Sequence, residues 1–97
     1  MKTGRKGSER ERKTIKRLEG VGYHCTRAAG SLGVFDIVAA CRLGTRYIQV
    51  KSNRWPSPEE REDMIAVLRS LPTNSTAECW RWDDNAREPL IKHVDEF

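Results

Sequence analysis

Two short apolar runs, Phe35-Asp36-Ile37-Val38-Ala39-Ala40 and Tyr47-Ile48-Gln49-Val50-Lys51, each carry an ionisable or strongly polar residue at a core-like position. An unpaired buried charge is costly, so short core strands usually avoid one. Only Leu43-Gly44 and the ends of the two runs separate them, which reads as a hairpin. Folding such a chain therefore means bringing Asp36, Gln49 and Lys51 to one end of a sheet, where they can satisfy one another or bind something.

Ninety-seven residues support one domain over 1–97, with a modest core: 37% of the chain is hydrophobic and 33% charged. No apolar run reaches the ~20 residues of a membrane span, which argues against a membrane partner. Three widely spaced cysteines, Cys25, Cys41 and Cys79, read as reduced thiols rather than a disulfide framework or zinc site, and point to the cytoplasm. Gly20-Val21-Gly22 and Gly30-Ser31-Leu32-Gly33 lack the lysine or third glycine of nucleotide loops, so no nucleotide cofactor is expected. The net charge of +4 is unevenly spread. Residues 1–17 hold eight Lys/Arg against two Glu, while the remainder holds ten against twelve acids. A basic end of this kind favours a polyanion such as nucleic acid.

The expected element order is αβββαββ, a small mixed β-sheet flanked by helices in an α/β fold. Residues 1–7 read as a flexible basic tail. Ser8 and Glu11 have capping-box spacing, which starts a helix running to about Glu19. Strands are expected over 23–27, 34–42, 45–52, 76–82 and 89–94. A second helix over 58–71 has apolar Met64, Ile65, Leu68 and Leu71, with Pro72 stopping it. The acidic run Glu59-Glu60-Arg61-Glu62-Asp63 reads as a solvated helix N-terminus. Trp80 and Trp82 share one strand face and read as core or interface before base-stacking platforms. Trp55, in the loop after Lys51, is the better candidate for touching a nucleic acid. His24 and His93 read as surface residues with no partner at metal-ligand spacing.

At 100° per residue, Glu11 lies about 40° from Ile15 and about 20° from Leu18, so it points inward with them. Glu9 lies roughly opposite Leu18 and faces water. Gln49 and Lys51 share one face of their strand. A metal site is then expected from Asp36, Gln49 and Glu11, with the Val50 backbone between the last strand residues. Mg²⁺ suits it, since that ion takes oxygen ligands and keeps several waters. Such an ion would polarise a phosphate and acidify water, and Lys51 would orient that water or stabilise developing charge. An Asp36–Lys51 salt bridge is the simpler alternative, but it leaves Gln49 unexplained.

The chain resembles the archaeal-type Holliday-junction resolvases of the PD-(D/E)XK nuclease superfamily, a group with viral members. The resemblance runs over residues 5–52: Arg5-Lys6-Gly7, Glu11-Arg12, Gly22-Tyr23, Arg27-Ala28-Ala29-Gly30-Ser31, Asp36-Ile37-Val38-Ala39 and Ile48-Gln49-Val50-Lys51-Ser52. It implies a restriction-endonuclease-like fold and metal-site roles for Glu11, Asp36 and position 49, with Lys51 as the catalytic lysine. It also implies DNA contacts near Arg12 and Arg27 and a site-side position for Ser31. Lys6, Arg5, Arg54 and Trp55 complete the expected DNA-binding set. A Mg²⁺-dependent homodimer (Mn²⁺ able to substitute) would place paired nicks across a branched DNA, leaving 5′-phosphate and 3′-hydroxyl ends. A viral member would act in the host cytoplasm. Gln49 departs from the family pattern, which usually has Glu there. Two alternatives stay open: a flap or other branched-DNA nuclease of the superfamily, and a DNA-binding module without catalysis.

Overall fold

A single hairpin organises the molecule. In the computed structural model, which describes the backbone of residues 2–28 and 33–97 and the side chains of 8–28 and 33–97, β2 (Ile37–Cys41) turns through Arg42-Leu43 into β3 (Gly44–Ser52). Gly44 sits at φ +155° against the Asn74 carbonyl, a place where a Cβ has no room. Helix α1 (Lys2–Gly20) and β1 (His24–Arg27) precede the hairpin. Helix α2 (Pro58–Leu68), β4 (Ser75–Trp82), β5 (Leu90–His93) and a short 3₁₀ turn (Val94–Glu96) follow. The sheet order is β1-β2-β3-β4-β5, antiparallel except for the parallel β3–β4 pair that α2 connects. The expected αβββαββ order and mixed sheet are both observed.

Alternation along β4 separates two cores. Trp80 and Trp82 point to one face and join Leu18 of α1 with Ile37, Ala39 and Ile48. Ala77 and Cys79 point to the other, against Met64 of α2, Phe35 and Val94. Both tryptophans are therefore core residues. Buried Arg10, Thr14 and Glu78 are satisfied by partners, as burial demands. Glu78, 1% exposed, receives both guanidinium arms of Arg46 at 2.8 Å, the Thr76 hydroxyl and the Trp80 indole N–H.

The helices depart from expectation at their ends and on one face. Helix α1 starts at Lys2, so Ser8 lies inside it and is no N-cap. Gly4 and Gly7, poor helix formers, disguised the first turns. The fully buried line of α1 is Arg10, Thr14 and Leu18, with Ile15 half-buried beside it against the same core as expected. The Thr14 hydroxyl donates to the Arg10 carbonyl and accepts from the Trp82 indole, so this polar line is fully bonded. Helix α2 ends at Leu68, three residues early. Ser70 and Leu71 bond back to Val67 and Leu68 in tight turns, because Pro72 disfavours helical geometry at the residue before it. Strand β2 begins at Ile37, not at 34: Val34 and Phe35 leave the ladder to pack in the α2 core.

Candidate active site

Register brings the polar residues of the hairpin together. Ile37 pairs with Ile48, and one step further along the same register sets Asp36 across from Gln49. The Asp36 N–H still reaches the Ile48 carbonyl at 2.8 Å, and the Ala28 N–H reaches the Asp36 carbonyl at 2.8 Å. Beyond that point the main chain of β2 diverges, and the side chain of Asp36 continues the ladder by accepting the Val50 N–H through Oδ2 at 2.8 Å. Burial pushes the Asp36 carboxyl above the usual range, and the Glu60 charge adds to it. The Val50 N–H and Lys51 pull the other way without cancelling the effect.

Gln49 is only 4% exposed and lies beside Cys79 of β4. Its Nε2 makes a long 3.5 Å contact with Glu60 Oε2, and its buried Oε1 has no partner among the described residues. The reverse amide orientation would set oxygen against a carboxylate, so the donor end belongs toward Glu60. Cys79 forms part of the floor. Its burial pushes the thiol up to about 12, which keeps it protonated and a poor ligand.

The sequence reading missed Glu60, which is a neighbour of this cluster and not merely a solvated acid of the α2 N-terminus. Lys51 Nζ donates to Glu60 Oε2 at 2.8 Å; its ion partner is thus Glu60, not Asp36. The other carboxylate oxygen accepts the Ser57 N–H at 2.9 Å, while the Ser57 hydroxyl accepts the Glu60 N–H at 3.1 Å. This reciprocal cap fixes the start of α2 and aims Glu60 back at β3. Burial works to raise the Glu60 carboxyl, but the bonds from Lys51 and Ser57 and the charges of Lys51 and Arg54 outweigh it, leaving the carboxyl below its usual range. The signal was legible: Ser57-Pro58-Glu59-Glu60 has capping-box spacing a few residues after Lys51.

Glu11 approaches from the α1 layer. It lies on the flank of the inward line, partly exposed, with Oε1 bound by Arg27 at 2.7 Å. Burial raises its carboxyl, the charge of Asp36 raises it further, and Arg27 lowers it in part. Glu11 and Asp36 therefore feel each other across the end of β1.

The residues fit a hard cation. Among the described residues, no three His, Cys, Asp or Glu side chains gather closely enough to hold a metal by themselves. The buried, unpartnered Gln49 Oε1, on the residue across the hairpin from Asp36, is nevertheless an oxygen wanting a donor or a cation. Few protein oxygens and several waters suit Mg²⁺.

Of the residues expected to meet DNA, Arg12 and Arg54 are exposed, and Arg27 is exposed although bound to Glu11. Trp55 is more enclosed: its ring packs edge-on against Phe97 at 5.4 Å, with Arg81 and Lys92 over it. The side chains of Arg5 and Lys6, and all of Ser31, lie outside the described residues.

A mixed sheet with an acid, a buried amide and a lysine at the end of its central hairpin makes an α/β domain whose polar cluster suits a nuclease. Comparison with known proteins agrees. Residues 2–73 match the profile of the archaeal Holliday junction resolvase (Hjc) family, and the chain belongs to that family. Among solved structures it is similar to Hjc from Archaeoglobus fulgidus, described as a Holliday junction resolvase from an archaeal hyperthermophile. The TM-score is 0.76 and the identity 24%, over 93% of this chain and 74% of that one, a likeness that speaks to the fold. No curated protein matches. Family membership carries junction resolution as the function, and with it metal-dependent nuclease chemistry on branched DNA.

Proposed function

We propose that this chain resolves four-way junctions as a Mg²⁺-dependent homodimer, with Asp36, Gln49 and Lys51 at the centre of each site and Glu11 beside them. The carrying observation is the unpartnered, buried Gln49 Oε1, on a residue set across the hairpin from Asp36 and two residues before Lys51. Asp36 and Gln49 would hold the ion, together with the Val50 backbone and Glu11. When bound, Mg²⁺ supplies polarisation of the scissile phosphate and a more acidic water, and Mn²⁺ supplies the same. The Lys51 ammonium, 14% exposed, is sheltered from solvent and suited to neutralise charge developing on the phosphorus oxygens.

Arg12, Arg27 and Arg54, with Arg5, Lys6, Ser31 and the edge of Trp55, would contact the phosphate backbone, reading shape more than sequence. A dimer suits a junction whose exchanging strands are related by a twofold axis. Exposed Val21 and Ile91, which flank one depression, supply apolar surface of the sort that pairs subunits. The unit is a single nuclease domain over 1–97 acting in the cytoplasm. Among the described residues no helix is long and apolar enough to cross a membrane.

The test is cleavage of an end-labelled four-way junction beside a duplex and a flap of matched sequence, in Mg²⁺ and Mn²⁺, with Asp36→Ala alongside. Paired symmetric nicks on the junction, lost in the variant, are expected. Equal cutting of flap or duplex would make it a broader nuclease. Tight junction binding with no cutting in either metal would leave a DNA-binding module.

A further inference from the structure

Asp36, Gln49 and Lys51 sum to zero charge, and Glu11 beside them is offset by its ion pair with Arg27, an unfavourable host for a divalent cation. Their common face is the one covered by α2, whereas Glu11 comes from the α1 layer and is engaged by Arg27. Glu60 is the acid on the α2 side. Its Oε2 stands 2.8 Å from Lys51 Nζ and 3.5 Å from Gln49 Nε2, and its charge is felt at Asp36. Its Oε1 is anchored on the Ser57 N–H, so the carboxylate is fixed at one oxygen and aimed with the other. The amide at position 49 turns its donor toward this carboxylate and leaves its acceptor unpaired. Counting Glu60, the cluster carries one net negative charge, which is what cation binding requires.

We propose that Glu60, reaching in from α2, is a further carboxylate of the metal site beside Asp36 and Glu11 and provides the negative charge that the amide at position 49 does not. This rests on the metal-dependent reading above. It makes the α2 N-terminus part of the site, and it accounts for a glutamine where an acid would serve. Gln49 contributes a neutral oxygen, Glu60 contributes the charge, and Lys51 lies against Glu60.

Mn²⁺ binding to the full-length chain, measured by titration calorimetry, tests the proposal. Glu60→Gln is the informative variant, because glutamine at that position still accepts the Ser57 N–H and preserves the helix cap; an unchanged melting temperature verifies this. Asp36→Ala identifies which binding event belongs to the site. Glu60→Gln is expected to weaken that event about 10–100-fold, the range seen when groups around a metal are altered. Gln49→Glu should tighten it, and the double variant Gln49→Glu/Glu60→Gln should return close to the parent. Junction cleavage by Glu60→Gln should recover with excess Mn²⁺. If Glu60→Gln binds Mn²⁺ like the parent while Asp36→Ala does not, Glu60 is only a cap and a lysine partner, and the nuclease reading stands. If the parent itself takes up no Mn²⁺, the metal reading fails and this proposal falls with it.

Discussion

Replacing Asp36 by asparagine should make the metal-free protein more stable while removing its activity. The Asp36 carboxyl is held above its usual range by burial and by the charge of Glu60, despite a 2.8 Å bond from the Val50 N–H and the charge of Lys51. Its ionised form is therefore disfavoured in the fold. A folded-state value above the unfolded one means the penalty exists at neutral pH and disappears as the carboxyl takes up its proton. Asparagine keeps an acceptor for Val50 and discards the charge. It forfeits the charge-assisted part of that bond, about 1 kcal/mol, and the attraction of Lys51. It recovers the burial cost and the repulsion of Glu60, which the direction of the shift shows to be larger. A net gain on the order of 1 kcal/mol is typical for relieving a functional compromise, and raises the melting temperature by about 4–8 °C in a domain of this size. Thermal unfolding in EDTA at pH 7.5 and at pH 3 measures it: the gap should be present at the first and vanish at the second. Cleavage should fall by at least about 100-fold, since even groups outside the ligand shell are worth 10–100-fold. A lower melting temperature at pH 7.5, or equal shifts at both pH values, would show that Asp36 is structural and refute the reasoning.

Lys51→Met should leave Mn²⁺ binding in place but remove cleavage, which calorimetry and single-turnover nicking can separate. Retained cleavage would take the lysine out of the chemistry. Glu78→Ala strands the Arg46 guanidinium and the Trp80 and Thr76 donors in the α1 core. It should cost about 3–5 kcal/mol in urea unfolding, and a loss under about 1 kcal/mol would mean the pair relaxes into solvent. The Glu78 carboxyl is opposed by burial but held below its usual range by Arg46, Trp80 and Thr76, so its stabilisation should be lost as pH falls through that depressed range. Arg54→Ala should weaken junction binding at all sequences and lower the salt-dependence slope by about one; an unchanged slope removes Arg54 from the phosphate contacts.

The hairpin was the most legible part of the fold. Gly44 and the two apolar runs set the register, and register alone set Asp36 opposite Gln49. Met64 and its neighbours located α2 for the same reason, an apolar stripe of helical period. What stayed hidden was carried by polar residues that spacing cannot rank. Arg10 and Thr14 carry no apolar signal in a basic helix, yet they are buried because Ser52, Asp84 and Trp82 supply bonds from distant parts of the chain. Glu60 was one acid among four in a short run. Only the cap at Ser57, together with the end of β3 beside it, distinguishes it from Glu59. The extra turns of α1 were masked by glycines whose cost is offset in the folded chain.

The polar line of α1 has a consequence for how the two halves of the site stay in step. Arg10 immediately precedes Glu11, and Ser52, which receives the Arg10 Nε–H at 2.7 Å, immediately follows Lys51. A greasy helix contact tolerates sliding and rolling by an ångström, because dispersion has no direction. A guanidinium spanning Ser52 and Asp84 does not, because each bond weakens steeply once it bends or lengthens. Arg10 thus works as an alignment pin: it sets the rotation of α1 against the end of β3, so that one residue on either side of the pin an acid and a lysine arrive in fixed relation.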